Sequence, residues 1–173
     1  MNIVWYRNVA AHDLPALLTD RGGQQRSVSL PPGAAREEVV AELQECARTH
    51  LAPALLEVVE NIPEPLVQAV FDLDVPKMAA GRVCLIGDAA FAVRPHAAAG
   101  TAKAAEDGWV LAEKLQQAQG DVAKALAAWE AQQLAVGRAL LARTRHIGDS
   151  SQFHDSFRPG DQRLISGLHA PGR

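Results

Sequence analysis

The sequence predicts a mixed α/β (α+β) fold, and three observations predict it. Short runs rich in β-branched and aromatic residues fill the first half: residues 3–7 (IVWYR), 25–30 (QRSVSL) and 66–75 (LVQAVFDLDV). Such composition suits a pleated, half-buried surface. A compact apolar run, Val83-Cys84-Leu85-Ile86, ends in Gly87-Asp88-Ala89-Ala90 and leads through a Pro- and Gly-containing loop to a helix opening near Gly100-Thr101. Further on, Val122, Leu126, Trp129, Val136 and Leu140 form one apolar stripe at helical spacing.

Each element follows from local chemistry. Residues 3–7 read as an opening strand. Asp20-Arg21-Gly22-Gly23 is a turn signal, so residues 25–30 supply a second strand able to pair with the first. Pro31-Pro32-Gly33 breaks the chain. Over residues 35–50, Val39, Leu43, Cys46 and Ala47 recur at helical spacing, with Arg36, Glu37, Glu42 and Glu45 outside. Residues 53–59 give a shorter helix, ended near Asn61-Ile62-Pro63. Residues 66–75 alternate as a third strand of the same sheet. A buried strand at 83–86, with Cys84 as a small core residue, precedes a helix over residues 101–117. Gly120 separates that helix from the long one. The polar tail after Gly148, with Pro159-Gly160 and Pro171-Gly172, is expected to be loosely ordered or ordered against a partner.

The 173 residues allow one domain or one and a half, with room for a real core. A net charge of −3 excludes a general nucleic-acid surface, which needs a clustered basic face. No apolar run approaches the ~20 residues that cross a bilayer, so no membrane span is expected. The start, MNIVWYRNV, has no basic segment followed by a long apolar one, so no signal peptide is expected. Two distant cysteines, Cys46 and Cys84, make neither a disulfide framework nor a metal pattern. His146, His154 and His169 show no ligand spacing, and no metal is expected. A reducing cytoplasm is the implied compartment.

Asp88 is the leading functional candidate. A carboxylate at a strand's carboxyl end, beside a helix N-terminus, suits hydrogen bonds from ribose or ribityl hydroxyls. A turn or capping aspartate is the plain alternative. His96 lies in the following loop and is a candidate catalytic base, since imidazole titrates near neutrality; a structural loop histidine is its alternative. Arg7, Trp5 and Tyr6 are candidates for lining a pocket, with core packing preferred for the two aromatics. Lys103, Glu106 and Asp107 read as solvated helix-face charges, Lys103 having the alternative of placing charge near a ligand. Trp109 and Trp129 read as core. No Ser-His-Asp or Cys-His nucleophile emerges.

The continuation past Asp88 resembles the second flavin-binding motif of the class A flavoprotein monooxygenases, the p-hydroxybenzoate hydroxylase-like family. The matching residues are Gly87-Asp88-Ala89-Ala90, Pro95, Gly100, Asp107 and Leu111. Arg94-Pro95-His96, Ala98-Ala99-Gly100 and Lys103-Ala104 are similar to the dihydroxypyridine hydroxylase-type subgroup, as are VWYR at 4–7 and DLDVPKMAAGRV at 72–83. The resemblance covers most of residues 1–147. It implies a partial FAD/NAD(P)-binding Rossmann-like fold with part of a β-sheet substrate domain and C-terminal helices. The implied division is a partial substrate-binding domain at 1–78, the carboxyl-terminal part of an FAD-binding domain at 79–147, and a tail at 148–173.

The resemblance further implies FAD as cofactor, with Gly87 and Asp88 at the ribityl chain and Pro95 beside the isoalloxazine ring. Backbone N–H groups around Gly100, Thr101 and Ala102 would face the flavin pyrimidine. Reduced flavin carries negative charge at that edge, and a helix N-terminus supplies unsatisfied donors and a favourable dipole. NAD(P)H as co-substrate, O2, and a hydroxylated aromatic or N-heteroaromatic substrate are implied with it. Phe91 departs from the pattern, standing where many members have histidine.

The family's first nucleotide-binding element is a strand, Gly-x-Gly-x-x-Gly and a helix, and this sequence contains none; Gly22-Gly23 has no third glycine. The chain is therefore expected to be the carboxyl-terminal portion of an aromatic hydroxylase, as a fragment or subunit that need not retain FAD unaided. Its 83–86 strand would leave an edge and an apolar face uncovered. Self-association, or association with a chain carrying the amino-terminal half, is expected. A non-catalytic interaction module that kept the fold is the alternative. A nicotinamide dehydrogenase unit is a third reading, and it too lacks its glycine fingerprint.

Overall fold

A computed structural model describes residues 3–156 and 158–169. The chain divides into two compact units, Met1–Val70 and Phe71–Arg173. Among the described residues, helices carry most of the regular structure, beside two small antiparallel sheets of two strands each. The mixed fold class holds.

The first unit runs α1 (Leu14–Leu17), β1 (Ser29–Leu30), α2 (Glu37–His50), α3 (Pro53–Glu60) and β2 (Val67–Gln68). Glu37 and Glu38 in the first turn of α2, with Arg48 and His50 in the last, suit the helix dipole. Pro53 opens α3 where its missing N–H has no helical partner to lose. Leu18, Leu30 and Ala35 form the core, with Val39, Val40 and Val67 against it. Buried Asp20 organises the turn after α1: Oδ1 accepts the Gly22 and Gln24 N–H groups, both at 2.9 Å, and Oδ2 accepts Arg26 Nε at 2.8 Å. The backbone bond from Gln24, then Arg26, holds this carboxyl below the ordinary carboxylate range.

The expected opening strand is absent. Residues 3–10 run without regular structure, and β1 pairs with β2 instead, Ser29 opposite Gln68 and Leu30 opposite Val67. Strand propensity needs a paired edge to be realised, and β1 is already matched to β2. Arg7 reaches Glu42 of α2 at 3.1 Å and lies 5.6 Å from the Trp5 ring centroid. Trp5 is half-buried, and Tyr6 is exposed rather than core.

The second unit begins with an extended segment whose Leu73 and Val75 N–H groups donate to Ala92 and Ala90 at 2.8 and 3.3 Å. The expected strand over 66–75 is thus split: Val67–Gln68 is laddered and the Ala69 N–H donates to Val28, while Leu73 and Val75 bond to the 90–92 loop. β3 (Ala79–Ala80) and β4 (Val83–Cys84) form a hairpin, turned at Gly81 with φ +62°. Then come α4 (Gly100–Gln117) and α5 (Val122–Gln152), the latter capped by Asp121, which accepts the Lys124 N–H at 3.0 Å. Met78, Ala90, Phe91, Val110, Leu126 and Trp129 form the core between them.

Three further expectations are corrected here. The 83–86 strand is not buried: only Val83–Cys84 is laddered, Cys84 is half-buried, and Val83, Leu85 and Ile86 are exposed. The long helix does not stop at Gly148 but runs on to Gln152. The described tail is not loose: Leu164 is buried against Ala97, Ala99, Leu140 and Ile147, and the Gly167 N–H donates to Ala97 at 2.7 Å. Pro171-Gly172 lie outside the described residues. No helix among the described residues is long and apolar enough to cross a membrane.

Candidate functional site: the Gly87-Asp88 turn and the start of α4

β4 leads the chain into a single 3-10 turn, Gly87–Ala89. Gly87 adopts φ +56°, and a Cβ there would fall 3.0 Å from the Ala104 Cβ on α4. Both facts require glycine. Its N–H donates to Asp107 Oδ2 at 2.9 Å. Asp88 follows, exposed, with Oδ1 3.8 Å from where a Cβ on Gly100 would stand. Its carboxylate makes no hydrogen bond or ion pair among the described residues, though it sits at the mouth of a helix.

That helix starts after a second 3-10 turn, Pro95–Ala97, and a left-handed Ala98 at φ +50°. The first backbone bond of α4 runs from the Lys103 N–H to Ala99 at 2.8 Å. The N–H groups of Gly100, Thr101 and Ala102 precede it, and Ala99 offers no side-chain cap. Thr101 and Ala102 are exposed. A free carboxylate and three open amides therefore converge at one surface: acceptors for hydroxyls, and donors for a carbonyl or anionic edge.

The preceding loop is pinned from α5. Arg94 bridges Asp72 at 3.2 Å and Asp149 at 2.9 Å, and Arg145 adds a second contact to Asp72 at 2.8 Å. Pro95 is exposed. His96 turns toward α5, where Nε2 lies 2.7 Å from Gln152 Oε1 and the ring fills the space beside Gly148. The structure brings Gly87, Asp88, Gly100, Thr101 and Ala102 together and engages His96 with the long helix.

Two residues read as solvated are the most buried charges among the described residues. Lys103 and Asp107 are 1% and 0% exposed. The Lys103 ammonium lies 2.6 and 2.7 Å from the two carboxylate oxygens and 5.3 Å from the Phe91 ring centroid. Glu106 does lie at the helix face, paired with His169 at 2.8 Å. Trp129 is core, its indole N–H donating to the Asp107 carbonyl at 2.9 Å. Trp109 is not: it is 72% exposed and bonded to Glu113. Among the described residues no group of His, Cys, Asp and Glu could hold a metal ion.

A family model described as FAD binding domain-like matches residues 1–72. Beside that match, the chain is similar in sequence and in structure to part of known monooxygenases and hydroxylases. It is 36% identical over 169 residues to the 2,6-dihydroxypyridine 3-monooxygenase of Paenarthrobacter nicotinovorans, covering 97% of this chain and 42% of that protein. The solved 2,6-dihydroxypyridine-3-hydroxylase from Arthrobacter nicotinovorans superposes with a TM-score of 0.87 at 36% identity, over 94% of this chain and 41% of that one. A shorter match, 46% identical over 63 residues, links 36% of the chain to 14% of a salicylate hydroxylase from Pseudomonas putida. The chain thus spans about two fifths of the length of the dihydroxypyridine enzymes it matches, 41–42%.

Proposed function

We propose that this chain supplies the ribityl- and ring-binding part of an FAD site in a monooxygenase that hydroxylates a hydroxylated aromatic or N-heteroaromatic ring with NAD(P)H and O2. One observation carries the reading: the unpaired Asp88 carboxylate beside the three open amides of α4. The residues fit that half of the cofactor. Asp88 would accept hydrogen bonds from ribityl hydroxyls, and the Gly100, Thr101 and Ala102 amides would face the electron-rich ring edge. When bound, FAD takes hydride from NAD(P)H and activates oxygen; the protein's part is to orient the ring, favour negative charge through the helix dipole and exclude water.

Pro95 would border the ring, and His96 is the candidate base, with its Gln152 bond supporting an anchoring role as well. We assign residues 1–78 to the substrate side and 79–147 to the flavin side. The pyrophosphate cradle is assigned to residues outside these 173, since the sequence holds no Gly-x-Gly-x-x-Gly. The exposed Val83, Leu85 and Ile86 support association through that hairpin, with a second copy or with a chain carrying the cradle. Two free cysteines suit a reducing cytoplasm. The same exposed hairpin favours the second reading, a non-catalytic interaction module.

Titration with FAD, followed by flavin fluorescence and absorbance, decides between the two. The chain, alone or mixed with a family member's Gly-x-Gly-x-x-Gly unit, should bind FAD at micromolar levels. Asp88→Ala should weaken binding about 10- to 100-fold, as loss of a charged hydrogen-bond acceptor does. No retained flavin in either format would sink the enzyme reading.

A further inference from the structure

The buried Lys103–Asp107 pair has no part in the flavin contacts above, and helix α4 gains little from it. A cation in the first turn opposes the helix dipole, and lysine four residues before an acid is the poorer order for such a pair. Burying both charges removes hydration that their attraction only partly offsets, and a hydrophobic couple of similar volume would pack at least as stably. What the pair does beyond itself is hold Gly87. Asp107 Oδ2 accepts Lys103 Nζ at 2.7 Å and the Gly87 N–H at 2.9 Å. Gly87, at φ +56° and backed by Ala104, is the residue from which Asp88 departs.

We propose that Lys103 is a positioning residue for the flavin site: it supplies the countercharge that lets a buried Asp107 carboxylate fix the Gly87 peptide, and with it the direction of Asp88. The purpose of this device rests on the flavin reading of Asp88; its mechanism rests on the Gly87 bond alone. Phe91 completes it. Its ring lies near the ammonium, 5.3 Å from centroid to Nζ. The ring also seats on α5 at Gly137, where a Cβ would fall 2.4 Å from it. The 87–91 turn is thereby held at its start by Asp107 and at its end by Lys103 and α5.

Three variants of the full chain test this. Lys103→Met strands the Asp107 carboxylate. Lys103→Met/Asp107→Asn removes both charges yet keeps an oxygen for the Gly87 N–H. Lys103→Met/Asp107→Leu removes the charges and the acceptor. Two readouts are taken: hydrogen exchange of the Gly87 amide by NMR in flavin-free protein, and FAD affinity by fluorescence. Gly87 protection should fall about tenfold or more in the single variant and the leucine double, and return to within about threefold of the parent in the asparagine double. FAD affinity should follow the same order. A pure packing role predicts a leucine double equal to the parent on both readouts, and that result overturns the proposal. So does an asparagine double that restores Gly87 protection but leaves FAD weak, which would mean the charge acts on the flavin directly. If the single variant does not fold, the two doubles still decide, because neither buries an unpaired charge. If the parent binds no FAD, the flavin reading falls while Gly87 protection still decides the role of Lys103.

Discussion

The chain is held in opposite ways on the two sides of Gly87. Downstream, the 87–91 turn sits on a dry ion pair and a fully buried Phe91. Upstream, the apolar run that enters the turn is largely bare: Val83 is 67%, Leu85 39% and Ile86 44% exposed, and Cys84 alone packs on the core. An apolar run is therefore largely wet, and a charged helix turn beside it is dry. Apolar character gives a segment something to gain from burial, but only a packed neighbour delivers that gain. Here α5 is that neighbour for α4 and for β3, and it leaves Val83, Leu85 and Ile86 exposed.

The largest effects should come from breaking the dry side. Trp129 is fully buried and ties α5 to α4 through the Asp107 carbonyl at 2.9 Å. Trp129→Ala should cost about 3–5 kcal/mol in urea unfolding. A loss under about 1 kcal/mol would show that the 87–91 turn does not depend on the α4–α5 core. A smaller effect should come from the link between the two sides. Glu130 Oε1 accepts the Met78 and Ala79 N–H groups at 2.6 and 2.8 Å, fastening the hairpin's first strand to α5. Glu130→Ala should cost about 1–3 kcal/mol by leaving these donors unpaired, and Glu130→Gln, which keeps an oxygen, should recover most of it. Equal losses in both would mean that charge, rather than the shared acceptor, holds β3.

The contrast also marks what was legible in the sequence. The helices α2, α3, α4 and α5 were readable because helical periodicity and Pro or Gly punctuation are local signals, and Asp121 and Pro53 sit where helix starts want them. The strands were not. Pairing is non-local, so nothing in residues 3–7 told that β1 would pair with Val67–Gln68 instead. At the site, Asp88 and the Gly100–Ala102 amides were found from spacing, because glycine at a helix start and an acid at a strand end have local meaning. The burial of Lys103 and Asp107 was missed because charges default to solvent. Their lysine-before-acid order was the available hint, since a solvated helix gains least from it. Phe91 on Gly137 was unreadable: the slot and the ring that fills it lie far apart in the chain.

The smallest effect on stability should come from the wet side. Val83→Thr with Ile86→Thr alters two exposed side chains and leaves the β3–β4 ladder its backbone bonds. Unfolding should therefore shift by no more than about 0.5 kcal/mol. Association should respond far more than stability does. If this hairpin is where a second copy or a cradle-bearing chain docks, the parent should self-associate or bind that chain in light scattering, and the double variant should do so more weakly. Removing apolar area from a docking face lowers affinity without touching the core beneath it. A parent chain that stays a clean monomer on dilution and ignores a cradle-bearing partner would show that the hairpin's exposure has no docking role. A variant that associates as well as the parent would move the docking face elsewhere on the chain.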